Sequence, residues 1–130
     1  MDKYSIKITT DYNEYWRFNI VVMGSVMVDG EQVELLKYRE DIAPVGAELK
    51  EPPKGYKAQR DVELRSVPAT NLTLYIYIIP HSLPATAIER QPIKFDNFEL
   101  RVEVMHGSER VYNRIHEICS LAGENIVVEV

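Results

Sequence analysis

His81 and Ser82 stand side by side between Pro80 and Pro84, and a hydroxyl near an imidazole is the pair that nucleophilic hydrolysis uses. That chemistry needs the imidazole within hydrogen-bond reach of the hydroxyl and a third group to orient it. Adjacency along the chain does not supply this geometry, and the sequence has no Gly-x-Ser-x-Gly elbow. Cys119 follows His116 by three residues, a spacing that two ligands of a zinc ion can have, but no second pair accompanies it. At helical spacing Cys119 instead joins an apolar stripe, where a buried thiol is inert. Neither Gly-x-x-x-x-Gly-Lys nor Gly-x-Gly-x-x-Gly occurs, so nothing in the sequence cradles a phosphate. The expectation is a chain without catalytic residues and without a cofactor.

Two weaker constellations remain. Asp11, Asn13 and Glu14 fall in one turn, Asp29 and Glu31 in another, and Asp96 and Asn97 in a third. If the first and third turns met at one end of the fold, Asp11, Asn13, Asp96 and Asn97 would offer oxygens to a calcium ion, although Asp and Asn are also ordinary turn formers. Tyr12, Tyr15 and Trp16 cluster before the first long apolar run and would make a stacking platform for a small ligand or carbohydrate if their rings faced water.

The most distinctive stretch is Asn71 to Pro80, NLTLYIYIIP. Leu72, Leu74, Ile76 and Ile78 alternate as the buried face of a strand does, yet Thr73, Tyr75, Tyr77 and Ile79 leave the opposite face apolar as well. A bare strand of this kind is an aggregation hazard, so that second face must be covered. The cover is another part of the chain, a second chain, or a ligand. Met23 and Met27, with Val21, break the polarity of the second face of the run from Trp16 to Val28 in the same way. Tyr is enriched where protein surfaces meet, which favours association.

Period-two alternation dominates the elements that carry these residues. Tyr4, Ile6 and Ile8 mark one strand, Val62 and Leu64 another, Phe98 to Val104 a third and Ile126 to Val130 a last. Asp29-Gly30 is a hairpin signal that returns the long run through Val33 to Tyr38, and Gly24 reads as a bulge or bend. Loops are expected near 40–59 and 80–92, where prolines gather. Residues 108–123 are ambiguous: Val111, Ile115, Ile118 and Ala122 sit at helical spacing with Ser108 and Gly123 as caps, predicting a helix over about 109–121 slightly better than a strand. The expected architecture is one domain over 1–130, mainly β, a two-layer antiparallel β-sandwich of about seven strands with one possible helix.

The net charge of -5 and the lack of a basic run argue against a groove for nucleic acid, since affinity for phosphate backbones comes from clustered Lys and Arg. No apolar run is long enough to cross a bilayer as a helix, and no secretory leader is evident at Met1. With a lone cysteine, the expectation is a cytoplasmic protein. The functional expectation is a binding or assembly module that docks to itself or to other proteins through Thr73, Tyr75, Tyr77, Ile79, Met23 and Met27. The alternative is a small-ligand or carbohydrate binder, assisted by calcium.

Overall fold

A computed structural model describes residues 1–12, 14–55, 61–82, 97–119 and 122–130. Eight strands occur among them: β1 (Lys3–Thr9), β2 (Phe18–Val28), β3 (Glu31–Glu40), β4 (Asp61–Pro68), β5 (Asn71–Pro80), β6 (Phe98–His106), β7 (Glu109–Ile118) and β8 (Glu124–Glu129). They form two antiparallel four-stranded sheets, ordered β4-β1-β6-β7 and β3-β2-β5-β8. The sheets pack face to face as a β-sandwich, so each strand points alternate side chains into one shared core.

The alternation read from the sequence is the alternation observed. Tyr4, Ile6 and Ile8 of β1 and Leu100, Val102 and Val104 of β6 face Val22, Leu74, Ile76 and Val128 of the other sheet, all buried. Burying each such aliphatic side chain contributes about 1.5–3 kcal/mol. Tyr4 is the polar exception, and its hydroxyl donates to the Thr70 carbonyl at 3.1 Å while its ring stacks on His106 at 4.1 Å.

Asp29 and Gly30 both take positive φ, 48° and 85°, and form the tight turn between β2 and β3. Gly24 does not mark a bulge. It pairs with Leu36 and Leu74 in regular register, and an added Cβ would stand 3.3 Å from the Leu36 Cβ, so the glycine makes room for that side chain. The register shift lies between Val26 and Met27 instead.

Residues 109–118 are a strand, not part of a helix over 109–121, and the described residues hold eight strands, in keeping with the expected sandwich of about seven. Gly107 takes a φ of 62° in the turn, and β7 then pairs with β6 from His106↔Glu109 to Phe98↔Ile118. The helical stripe is split between faces: Ile118 is buried opposite Phe98, whereas Ile115 lies on the outer face and is exposed. Val, Ile and Tyr fit a pleated surface well. Pairing also satisfies the edge of β6, which a helix would leave open.

Candidate functional site

The outer faces of the two sheets differ in chemistry. On the β4-β1-β6-β7 sheet, register sets Lys7 between Glu63 and Glu103, and Arg101 between Thr9 and Ile115. Opposite charges side by side suit a wet surface. On the β3-β2-β5-β8 sheet, one row runs Lys37, Met23, Tyr75, Val127, and the next runs Arg39, Val21, Tyr77, Asn125. A third row runs Leu35, Ser25, Thr73, Glu129. Met23, Met27, Thr73, Tyr75, Tyr77 and Ile79 therefore share one surface, because β2 and β5 are neighbours. Tyr75 is 37% exposed and Val127 57% exposed, while Met23, Met27, Thr73 and Tyr77 are half-buried.

Part of this face is covered from within. Asn19 lies on it beside Ile79, and its side-chain oxygen accepts the Ile42 N–H at 2.7 Å while its amide donates to the Ala43 carbonyl at 2.6 Å. The Gly46 N–H donates to the His81 carbonyl at 3.0 Å. The segment after β3 is thus tied down over the Asn19 end, and the rows through Val21, Met23 and Ser25 lie beyond these anchors.

Residues of the outer strands belong to the same surface, among them Lys37 and Leu35 of β3 and Val127 of β8. Alternation alone marks β8 as wet on one side, yet Ile126-Val127-Val128 is an unbroken apolar triplet. That triplet was the available signal for Val127.

His81 and Ser82 are bonded to each other and sealed in. His81 is 2% exposed; its Nε2 lies 2.7 Å from the Trp16 carbonyl and its Nδ1 2.7 Å from the Ser82 hydroxyl. A carbonyl can only accept, which assigns the ring proton to Nε2 and leaves Nδ1 to accept from Ser82. The Ser82 oxygen in turn accepts the Leu49 N–H at 2.7 Å. The pair fastens the 41–50 segment to the end of β5, and Ser82, 3% exposed, offers no attacking face to a substrate.

Burial pushes the His81 pKa below its ordinary 6.5, the nearby Arg17 charge pushes it the same way, and the hydrogen bond to Trp16 opposes both. Above pH 6.5 neither the folded nor the unfolded chain holds the extra proton. Below it, the unfolded chain takes up a proton that the folded chain refuses, so stability falls as the pH drops. His116, lowered by burial and by Arg114 against the opposing Glu124, adds to the same slope. Urea midpoints measured at about pH 7.5 and about pH 5.5 are expected to fall with acid, and His81→Asn to flatten that fall. An unchanged slope in the variant would exclude His81 as a source.

Two of the three rings in the aromatic cluster before β2 are shut away from water, and the third is half-buried. Tyr15 and Trp16 are buried in a short 3-10 turn (Tyr15–Arg17), and the Tyr12 ring stacks on Phe98 at 4.4 Å. Trp16 carries the Arg17 guanidinium over its ring at 4.6 Å. Rings packed in this way serve the end of the core and present no platform to a sugar.

Asp11 and Asn97 do approach one another, lining a shallow depression with Tyr12, Phe98 and Glu99. Asn13 and Asp96 lie outside the described residues. Arg101 lines the adjoining depression with Asp11 and Glu99, and its positive charge disfavours a cation there. No group of three or more His, Cys, Asp or Glu placed to hold a metal occurs among the described residues. His116 accepts or donates at 2.8 Å to the Tyr112 hydroxyl rather than pairing with Cys119. His106 holds the Asp2 and Ala69 carbonyls at 3.1 Å and 2.9 Å, closing the end of the sandwich.

No helix among the described residues is long and apolar enough to cross a membrane. No protein-family model, no curated protein and no solved structure matches the chain.

Proposed function

We propose that the protein is a non-catalytic binding or assembly module that docks onto protein through the outer face of the β3-β2-β5-β8 sheet. The observation that carries this reading is the cross-strand register that gathers Val21, Met23, Tyr75, Tyr77 and Val127 on one surface, while the opposite sheet is charged at the equivalent positions. Tyr and Met are enriched in the centres of protein interfaces, and Lys37, Arg39 and Glu129 supply a polar rim. Sheet-on-sheet stacking is the mode such a face permits, because its main-chain groups are already paired within the sheet.

Tyr75→Glu and Tyr77→Glu each place a carboxylate at the centre of the face. Each is expected to weaken the complex about a hundredfold or more, by the loss of a central aromatic anchor and the burial of a charge. Size exclusion with light scattering should show the complex lost, while far-ultraviolet circular dichroism and the cooperative thermal transition persist. Unfolding by either substitution would sink the reading and place the two rings in the fold's own packing.

A further inference from the structure

Resting on that reading, we propose that the partner on this face is a second copy of the chain, stacked about a two-fold axis that runs parallel to the strands between β2 and β5. The warrant is the self-complementarity of the registered rows. Such an axis lays β2 over β5 of the second copy and β3 over β8 of the second copy. Within the middle row, Met23 then stands over Tyr75 of the second copy, and in the next row Val21 stands over Tyr77 of the second copy. In the third row Ser25 stands over Thr73 of the second copy, and beyond it Met27 stands over Asn71 of the second copy.

Charge chooses between the two ways the face can meet itself. Lys37 lies on β3 at one margin, and Glu129 on β8 at the other, one row away. Neither has an ion-pair partner among the described residues. The axis along the strands brings the β3 margin of one copy to the β8 margin of the other, so Lys37 and Glu129 of the second copy fall within diagonal reach. An axis running across the strands near these rows stacks β3 on β3 instead, and sets Lys37 against Lys37 or Arg39 of the second copy. Like charges set against each other in this way are destabilising.

The size is also adequate. Beyond the segment anchored on Asn19, β2 runs free from Val21 to Val28 at about 3.3 Å per residue, so four strands about 4.8 Å apart present an open face of about 20 Å by about 25 Å. That lies toward the lower end of specific interfaces, whose standard size is roughly 800 Å² of accessible surface from each partner. The pairing buries no unpaired backbone and uses each copy's apolar band to cover the other's.

The test combines solution mass with directional cross-linking. Cys119, the one cysteine, is first replaced by Ser, and Lys37→Cys and Val127→Cys are introduced separately into two differently tagged chains. The expected result is a mass twice that of the 15.0 kDa chain and a short bis-maleimide bridge between the Lys37→Cys and Val127→Cys chains when mixed. The Lys37→Cys chain alone should not bridge to itself. Lys37→Glu should weaken dimerisation about fivefold, and adding Glu129→Lys should restore it.

A dimer in which Lys37→Cys bridges to itself overturns the proposed axis. A monomer at all concentrations overturns the second copy. Incubating the Val127→Cys chain with the reagent in an extract of its source cells then separates the two failures. A bridge to a different protein, lost in Tyr75→Glu, leaves the docking reading standing without self-association. The absence of any bridge removes both.

Discussion

Gly123→Ala is expected to abolish the stable fold, at a cost of about 4 kcal/mol or more. A Cβ built at this position collides with the Ile78 carbonyl oxygen and lies 2.8 Å from Pro80 Cδ. The first atom is backbone in the interior of a sheet, where Ile78 pairs with Ile20 on one side and Glu124 on the other. Relief therefore requires β8 to draw away from β5. Gly123 also has a φ of 69° and donates its N–H to the Cys119 carbonyl at 2.8 Å, a left-handed conformation that costs an L-residue about 1–2 kcal/mol by itself.

Gly30→Ala isolates the conformational part of that cost. Gly30 also has positive φ, 85°, but nothing lies within 4 Å of an added Cβ. Its alanine variant should lose only about 1 kcal/mol. Urea unfolding of the two variants measures the difference. Equal losses would show that the approach of Ile78 adds nothing to the cost at Gly123.

Ile76→Ala is the second large effect, expected to cost about 3–4 kcal/mol. Ile76 is fully buried and stands in a core row between Val22 of β2 and Ile126 of β8. Truncation removes three carbons from a site whose neighbours belong to two sheets already locked in register, so collapse around the cavity is limited. One residue earlier, Tyr75→Ala should cost less than about 1 kcal/mol in the separated chain, since its ring lies on the outer face. Chemical denaturation of both variants checks the pair. A Tyr75→Ala loss as large as that of Ile76→Ala would show that the outer face is packed within the chain.

Much of the sandwich was legible in the residues. Ile6 and Ile8, or Leu100, Val102 and Val104, announce strands because side chains of a strand alternate between faces at every residue. Asp29-Gly30 announces a turn because both positions must accept positive φ. The apolar second faces of β2 and β5 were legible for the same local reason. Their union into one surface was not, since alternation records which way a side chain points and carries no record of which strand lies beside it. Lys37 and Val127 joined that surface only through pairing.

Residues 109–118 show the limit most clearly. Val111, Ile115 and Ile118 are compatible with a helical stripe and with a strand, and local propensity is too weak to choose. The choice fell to β6, whose free edge supplied hydrogen bonds along the segment. The aromatic cluster failed in a related way: three rings near a turn look alike whether they face water or the end of a core. Tyr12 found Phe98, more than eighty residues away along the sequence, and one face of its ring was taken, while Tyr15 and Trp16 were buried.

Local order along this chain thus determined strand positions, the hairpin turn and the β class, because backbone period and turn geometry act over two to four residues. Tertiary structure alone decided the strand neighbours, the sealing of His81 against Ser82 and Trp16, and the single apolar face between Lys37 and Glu129. Each of those depends on contacts between distant segments, whose energies are set by the partner and not by the segment's own sequence.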